Sequence, residues 1–228
     1  SGIPTPLSTL LFDLDDTLID SIAARITALD RVFSANEIST PTAEEFMHKL
    51  RGVQFEQALY RLEELEGRQL DIFGNYRRSY WGNDSRVIGL YPSIKPVIER
   101  LSVLGVKLGV VTQKGWAFQM EGREVGASQE LLALGIAHLF STGVGFESVS
   151  KHKPHPDGIL LALEQLESHA FETLVVGDSL ADMQAAQAAG CWSCHAIWGI
   201  PYTESDLGEF TPDMIATKPE DLLKLQII

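Results

Sequence analysis

The sequence has few cysteines, little positive charge and no long apolar run, and each of these absences excludes a class of protein. Its 228 residues include 18 lysines and arginines against 31 aspartates and glutamates, a formal net charge of −13. Because nucleic-acid binding depends on basic surfaces that neutralise phosphates, we expect no nucleic-acid partner. No run approaches the roughly 20 apolar residues that cross a bilayer. We therefore expect no membrane association.

The beginning of the chain and the cysteine pair bear on the compartment. Residues 1–4 lack the basic start and apolar stretch of a secretory signal, so we expect a cytoplasmic protein. We expect it to be either a monomer or a homodimer. Cys191 and Cys194 have the C-x-x-C spacing of redox motifs. A redox pair normally opens a helix, whereas Gly190 here ends an alanine-rich helix and an apolar run follows. Two reduced structural thiols are the favoured interpretation.

Short apolar runs alternate with helical periodicity along most of the chain. The runs predict buried strands at 7–14, 106–112, 173–177 and 193–198, with a weaker one at 213–216. Amphipathic segments predict helices at 94–104, 130–137, 157–167, 180–189 and 219–225. This alternation predicts an α/β fold built on a doubly wound parallel sheet, in which ligands bind beyond the carboxyl ends of the strands.

One segment, residues 20–87, breaks the alternation. It has helical periodicity at 23–33, 43–50, 55–66 and 72–81 and no convincing strand. We therefore predict an inserted all-α domain of a four-helix type. The core domain is then discontinuous and consists of residues 1–19 and 88–228.

Two pairs of aspartates follow predicted strands. Asp13 and Asp15 are two residues apart, so in extended geometry both side chains lie on one face. Carboxylates that close repel unless a cation or proton intervenes. Phosphoryl transfer would use both, one to attack phosphorus and one to protonate the leaving oxygen, beside an oxygen-liganded cation. The alternative is an acidic turn at the end of a strand.

The second pair, Asp178 and Asp182, follows Gly177 at the end of another apolar run. Asp178 is placed to complete an all-oxygen magnesium site with Asp13. Asp182, in the first helical turn, either supports the site or is a capping residue that the helix macrodipole favours.

A lysine and a threonine are candidates for binding phosphate. Lys153 lies before Pro154 in a non-helical loop and can neutralise a nucleophilic carboxylate and a phosphate together, although most loop lysines are simply solvated. His152 and His155 flank it, but no further ligand stands at zinc-binding spacing nearby. Thr112 closes a predicted strand and has a hydroxyl that can donate to a phosphate oxygen, a weak signal when taken alone.

Together these residues resemble the four motifs of the haloacid dehalogenase (HAD) superfamily. The motifs correspond to D-x-D-x-T at residues 13–17, a threonine after the second strand, a lysine before proline and G-D-x-x-x-D at residues 177–182. The resemblance implies a Rossmann-like core and an aspartyl-phosphate on Asp13, with Asp15 as general acid and then base. It also implies Mg²⁺ held by Asp13, the Asp15 backbone carbonyl and Asp178, supported by Asp182. The phosphate would be bound by Thr112, Gln113 and Lys153.

The resemblance extends to one branch of the superfamily. The dehalogenase branch lacks an acid at the position of Asp15, so Asp15 favours phosphoryl chemistry. The helical insert is similar to the cap of the phosphoglycolate phosphatase and β-phosphoglucomutase branch, in which Arg51 and Gly52 fall in a substrate-facing loop. The Arg51 guanidinium would bind a carboxylate or a second phosphate, or else it is a solvated arginine. Gln113 stands where the family often has asparagine.

We therefore expect a magnesium-dependent phosphatase acting on a small phosphorylated metabolite, either phosphoglycolate-like or a sugar phosphate. One alternative is a phosphomutase of the β-phosphoglucomutase type, which returns the phosphoryl group to a sugar. The other is a catalytically silent regulatory member of the fold, for which at least one of the key residues should be replaced. All of the key residues are present, namely Asp13, Asp15, Lys153 and Asp178.

Overall fold

The computed structural model describes residues 2–50, 55–199 and 206–228. Arg51 and Gly52, the predicted substrate loop, lie outside the described residues. The chain divides into two compact units. The first comprises Ser1–Asp20, Gly89–Gln119 and Arg123–Ile228, and the second comprises Ser21–Ile88 and Met120–Gly122.

The second unit is helical. Its helices are α1 (Ile22–Ala35), α2 (Ala43–His48), α3 (Phe55–Glu66) and α4 (Ile72–Gly82). α1 packs against α2 and α4, and the rings of Phe33 and Phe46 meet edge to face with centroids 5.8 Å apart. Thr42 caps α2 through its side chain, and Asp71 accepts the Gly74 N–H at the start of α4. The sequence predicted these helices, and the role of this unit as a cap stays a prediction.

A six-stranded sheet forms the centre of the first unit. In spatial order its strands are β10 (Met214–Ala216), β9 (Trp192–Ala196), β8 (Thr173–Gly177), β1 (Thr9–Phe12), β4 (Lys107–Val111) and β7 (Thr142–Val144). Each strand pairs in parallel with its neighbour. β1 and β8 are buried along their whole length, as expected for apolar strands that are covered on both faces. The predicted α/β fold with a parallel sheet is confirmed.

The helices of this unit are α5 (Ile94–Val103), α6 (Ala127–Ala133), α7 (Asp157–Leu166) and α8 (Leu180–Ala188), with a final 3₁₀ helix at Pro219–Lys224. One buried cluster joins Leu11 and Val175 of the sheet to Ile159 of α7 and Ala185 of α8. The small alanines of α8 let the helix approach the sheet closely. This packing supports β1 and β8 from the helices that cover them.

Several short elements were not predicted. They are the edge strand β7, the antiparallel pair β2 (Ile19–Asp20) and β3 (Gly89–Leu90), and a hairpin of β5 (Phe118–Met120) and β6 (Arg123–Val125). Two or three residues are too few to show a period of two. The first strand is also shorter than the predicted 7–14. The strand ends at Phe12, and a turn begins at Leu14, whose carbonyl accepts the N–H groups of Leu18 and Ile19 at 2.8 and 3.0 Å.

Two sequence-based expectations concern the chain as a whole. Cys191 and Cys194 are both buried and form no disulfide, which agrees with two reduced structural thiols. Among the described residues, no helix combines the length and the hydrophobicity that a bilayer crossing requires.

Candidate active site

Three neighbouring strands deliver polar side chains to one edge of the sheet. Asp13 follows β1, Thr112 follows β4 and Asp178 follows β8. The parallel ladder continues into these residues, because the Asp13 N–H donates to the Val176 carbonyl and the Thr112 N–H donates to the Val144 carbonyl, both at 2.9 Å. The sheet therefore fixes the backbone from which each side chain projects, as the sequence predicted for the carboxyl ends of parallel strands.

Lys153 joins the carboxylates of the site. Its Nζ lies 3.2 Å from Asp13 Oδ1 and 2.6 Å from Asp182 Oδ1, and it donates to the Val111 carbonyl at 2.7 Å. Burial alone would lower the pKa of this ammonium, but the charges of Asp13 and Asp182 outweigh burial and raise its pKa. Lys153 is therefore a buried ammonium next to Asp13, and the two carboxylates favour its charged form.

The acidic side chains are crowded. Asp13, Asp178 and Asp182 each have a carboxylate oxygen within 4.8 Å of the others. Burial and then the charge of Asp182 raise the pKa of Asp13 to about 7, against the opposing effect of Lys153. Burial and the charge of Asp13 likewise raise the pKa of Asp178. One lysine does not neutralise three carboxylates, so the oxygen-only cluster fits a hard divalent cation such as Mg²⁺.

Asp182 has two local roles that the sequence left as alternatives. Its Oδ2 accepts the N–H and the hydroxyl of Ser179 at 3.1 and 2.9 Å, and its own N–H donates to Ser179 Oγ, which completes a capping box at the start of α8. Its Oδ1 contacts Lys153. Asp182 thus caps the helix and positions the lysine, and both of its oxygens have partners within the protein.

The residues after β4 have different partners. Thr112 Oγ1 accepts the N–H of Lys114 at 3.0 Å, and its hydroxyl can still donate one hydrogen bond. The Gln113 side chain donates to the Lys153 carbonyl at 3.2 Å, which ties the lysine loop to the end of β4. Phosphate binding by Thr112 and Gln113 stays a prediction.

Asp15 pairs with a different lysine from Asp13. Lys114 Nζ lies 3.0 Å from Asp15 Oδ1 and 2.6 Å from Glu130 Oε1, and the Glu130 side chain is fully buried. Asp13 and Asp15, which the sequence analysis expected on one face, therefore form ion pairs with two different lysines, Lys153 and Lys114.

The model of the haloacid dehalogenase-like hydrolases matches residues 10–196 of the chain. The chain belongs to this family. It is 32% identical over 222 residues to a phosphoglycolate phosphatase of Yersinia pseudotuberculosis, covering 93% of this chain and 90% of that protein. It is 31% identical to the phosphoglycolate phosphatase of Escherichia coli over 235 residues, covering 93% and 89%.

Solved structures of the family share the fold. A protein of Haemophilus somnus described as a predicted phosphoglycolate phosphatase has a TM-score of 0.78 at 26% identity, covering 97% of this chain and 98% of that one. A β-phosphoglucomutase of Clostridium difficile has a TM-score of 0.71 over 95% and 93% of the chains, but at 17% identity it bears on the fold alone. The predicted family is confirmed, and the matches support the predicted phosphatase.

The family motifs converge in space as the sequence analysis expected. One cluster contains the side chains of Asp13, Lys153, Asp178 and Asp182. Thr17 Oγ1 donates to Asp178 Oδ1 at 3.4 Å. His152, one of the two histidines considered as zinc ligands, contacts the Phe146 carbonyl through Nε2 at 2.8 Å. Within the described part of the chain, no histidine belongs to a group of potential metal ligands.

Two residues of the site were missed by the sequence analysis, namely Lys114 and Glu130. A signal for Glu130 was present, because Ala127, Glu130 and Leu131 have the i, i+3, i+4 spacing of a buried helix face, and all three are buried in α6. A glutamate on such a face needs a cationic partner. Nothing local in the sequence identified Lys114 as that partner.

Proposed function

We propose that this HAD-family hydrolase is a magnesium-dependent phosphatase that hydrolyses a small phosphorylated metabolite through an aspartyl-phosphate on Asp13. The observation that carries the proposal is the contact between Lys153 and Asp13 at 3.2 Å, beside Asp178 and at the carboxyl edge of the sheet. A carboxylate next to a buried ammonium can attack a phosphate dianion that the ammonium also attracts.

The residues fit a bound magnesium ion. The Asp13 and Asp178 carboxylates and the Asp15 backbone carbonyl would hold it, while Asp182 remains with Lys153 and Ser179. When bound, the cation supplies positive charge that the phosphoryl group and the crowded carboxylates both need. This charge and that of Lys153 also offset the net charge of −13, which by itself would repel a phosphorylated substrate.

The proposed reaction has two steps. An Asp13 carboxylate oxygen forms a bond to phosphorus as the bond to the leaving alcohol oxygen breaks, and Asp15 gives its proton to that oxygen. Asp15 then accepts a proton from the water that attacks phosphorus, and the bond to Asp13 breaks to release inorganic phosphate. Lys153 and Thr112 bind the phosphoryl oxygens throughout.

The helical unit would act as a cap that excludes water, with Arg51 and Gly52 in its substrate loop. The relatives named above are phosphoglycolate phosphatases. We therefore propose phosphoglycolate as the first substrate to test. A guanidinium at Arg51 would suit its carboxylate.

The Asp13→Asn variant tests the proposal. It should lower phosphate release by about 10³-fold or more, because the amide cannot form the aspartyl-phosphate. Release of inorganic phosphate is measured with Mg²⁺ on phosphoglycolate and on a panel of phosphorylated metabolites with two to six carbons. Net release also separates hydrolysis from phosphoryl transfer back to a sugar.

The matched control is Asp30→Asn, which changes an exposed aspartate of α1. It should retain wild-type turnover. Wild-type rates in Asp13→Asn would contradict the assignment of the nucleophile. Absence of magnesium-dependent phosphate release by the wild-type protein over the whole panel would contradict the phosphatase.

A further inference from the structure

Lys114 makes four polar contacts, two through its backbone and two through its ammonium. Its N–H donates to Thr112 Oγ1 at 3.0 Å, and its carbonyl accepts the Phe146 N–H at 2.9 Å. Its Nζ lies 2.6 Å from Glu130 Oε1 and 3.0 Å from Asp15 Oδ1. A lysine side chain normally samples many rotamers, so anchoring both ends fixes where the ammonium stands.

Glu130 anchors the lysine from a buried position. Its side chain has no exposed area, whereas that of Lys114 is 11% exposed and that of Asp15 is 22% exposed. α6 is tied to the segment that follows Lys114, because the N–H groups of Ala127 and Ser128 donate to the carbonyls of Gly115 and Trp116 at 2.8 and 3.0 Å. The glutamate and the lysine are therefore set in one rigid arrangement.

A buried ion pair adds little to stability compared with well-packed apolar residues, because both charges lose their hydration. It does fix geometry, since each charged group has few positions in which its partner satisfies it. Of the three charged groups Glu130, Lys114 and Asp15, the most exposed is Asp15, the proposed general acid and base. The pair thus restrains one particular carboxylate at the site.

We propose that Lys114 and Glu130 are positioning residues that orient the Asp15 carboxylate for proton transfer to and from the reacting oxygens. This inference rests on the proposed phosphatase function. Lys114 engages Oδ1, and the proton moves through Oδ2, which gives it to the leaving alcohol oxygen as the phosphorus–oxygen bond breaks. Neither Lys114 nor Glu130 gains or loses a proton in the step.

The test uses the leaving group. p-Nitrophenyl phosphate releases a phenolate that needs no proton, whereas an alkyl phosphate such as phosphoglycolate releases an alkoxide that does. kcat/KM is measured for both, because it reports on the steps up to the first irreversible departure of the leaving group. Lys114→Met should lower kcat/KM by about 10²-fold for the alkyl phosphate and by less than about tenfold for the aryl phosphate.

Two further variants keep the test independent of a folding defect in Lys114→Met. Glu130→Gln keeps the shape but removes the anchoring charge, so it should shift the ratio of the two kcat/KM values in the same direction. Lys114→Arg, which can also donate to both carboxylates, should give a ratio closer to the wild-type ratio than Lys114→Met does. The matched control, Lys107→Met, removes a β4 lysine that binds the Leu166 and Glu167 carbonyls at 2.8 and 3.3 Å and should leave the ratio unchanged.

The outcomes separate this inference from the function on which it rests. The wild-type protein could hydrolyse both substrates while Lys114→Met and Glu130→Gln lose activity equally on both. The pair would then be structural or bind substrate, and this result would overturn the positioning role alone. Absence of wild-type turnover on both substrates would overturn the phosphatase and the inference with it.

Discussion

At the level of single residues, buried charges dominate the site. Burial raises the pKa of both Asp13 and Asp178, and Lys153 remains charged because carboxylates surround it. Strongly shifted pKa values cluster at functional sites, where buried and like-charged groups are brought together. Lys153 is indispensable to this balance, because its loss would leave Asp182 buried without a counter-charge.

The cysteines are expected to be inert in the folded protein. Burial raises the pKa of the Cys191 and Cys194 thiols to about 12, and the thiolate is the form that reacts. Titration with a disulfide reagent at pH 8 should therefore label neither thiol in the native protein and both after denaturation. Fast labelling of either native thiol would contradict this prediction and reopen the redox interpretation of the C-x-x-C spacing.

At the level of elements, the site depends on the close approach of α8 to the end of β8. A Cβ added at Gly177 would lie 2.4 Å from Cγ and from Oδ2 of Asp182. The absence of a side chain at Gly177 thus allows Asp182 to reach Ser179 and Lys153 at once. The glycine of the G-D-x-x-x-D motif has a packing role as well as a place in the motif.

Gly177→Ala should therefore lower the free energy of unfolding by about 1–3 kcal/mol. It should also lower turnover, because Asp182 must move away from Lys153. The matched control is Gly82→Ala at the end of α4, where a Cβ meets nothing within 4 Å. It should leave stability unchanged or raise it by up to about 1 kcal/mol. Urea unfolding and phosphatase assays check both variants, and equal behaviour of the two would refute the packing argument.

At the level of the whole molecule, we expect the crowded acids to make stability depend on pH and, through the proposed metal site, on magnesium. The pKa of Asp13 is about 7 in the folded protein against an ordinary value of 3.8. A raised carboxyl pKa means that the folded state binds the proton more tightly. The stabilisation from Asp13 is thus fully present below pH 3.8 and is lost as the pH rises through about 7.

Thermal unfolding in EDTA should accordingly give a lower Tm for the wild-type protein at pH 8 than at pH 6, and Asp13→Asn should show a smaller difference. Mg²⁺ at 100 times its Kd should raise the free energy of unfolding of the wild-type protein by about 2.7 kcal/mol and that of Asp13→Asn by much less. A wild-type Tm that does not respond to Mg²⁺ at pH 8 would contradict the proposed metal site.

Much of the fold and the motif residues could be predicted from the sequence. Burial of an element leaves a local pattern, which predicted the parallel strands β1, β4, β8, β9 and β10 and the helices α1 to α4. The proposed chemistry rests on short motifs around Asp13, Lys153 and Asp178. The edge strand β7 was not predicted, because its three residues include a central glycine and form no apolar run, whereas the equally short β10 was predicted from the weaker run at 213–216.

The sequence by itself determined which residues are candidates for the proposed chemistry and that the aspartates and Thr112 among them follow strands, because side-chain type and periodicity are local properties. Only the tertiary structure decided which charge pairs with which. Asp13 and Lys153 are 140 residues apart and Asp15 and Lys114 are 99 apart, so their pairing depends on how the sheet is ordered. Strand order and helix packing fix these distances, which is why Glu130, a buried acid on one helix, became part of the site only when the fold was known.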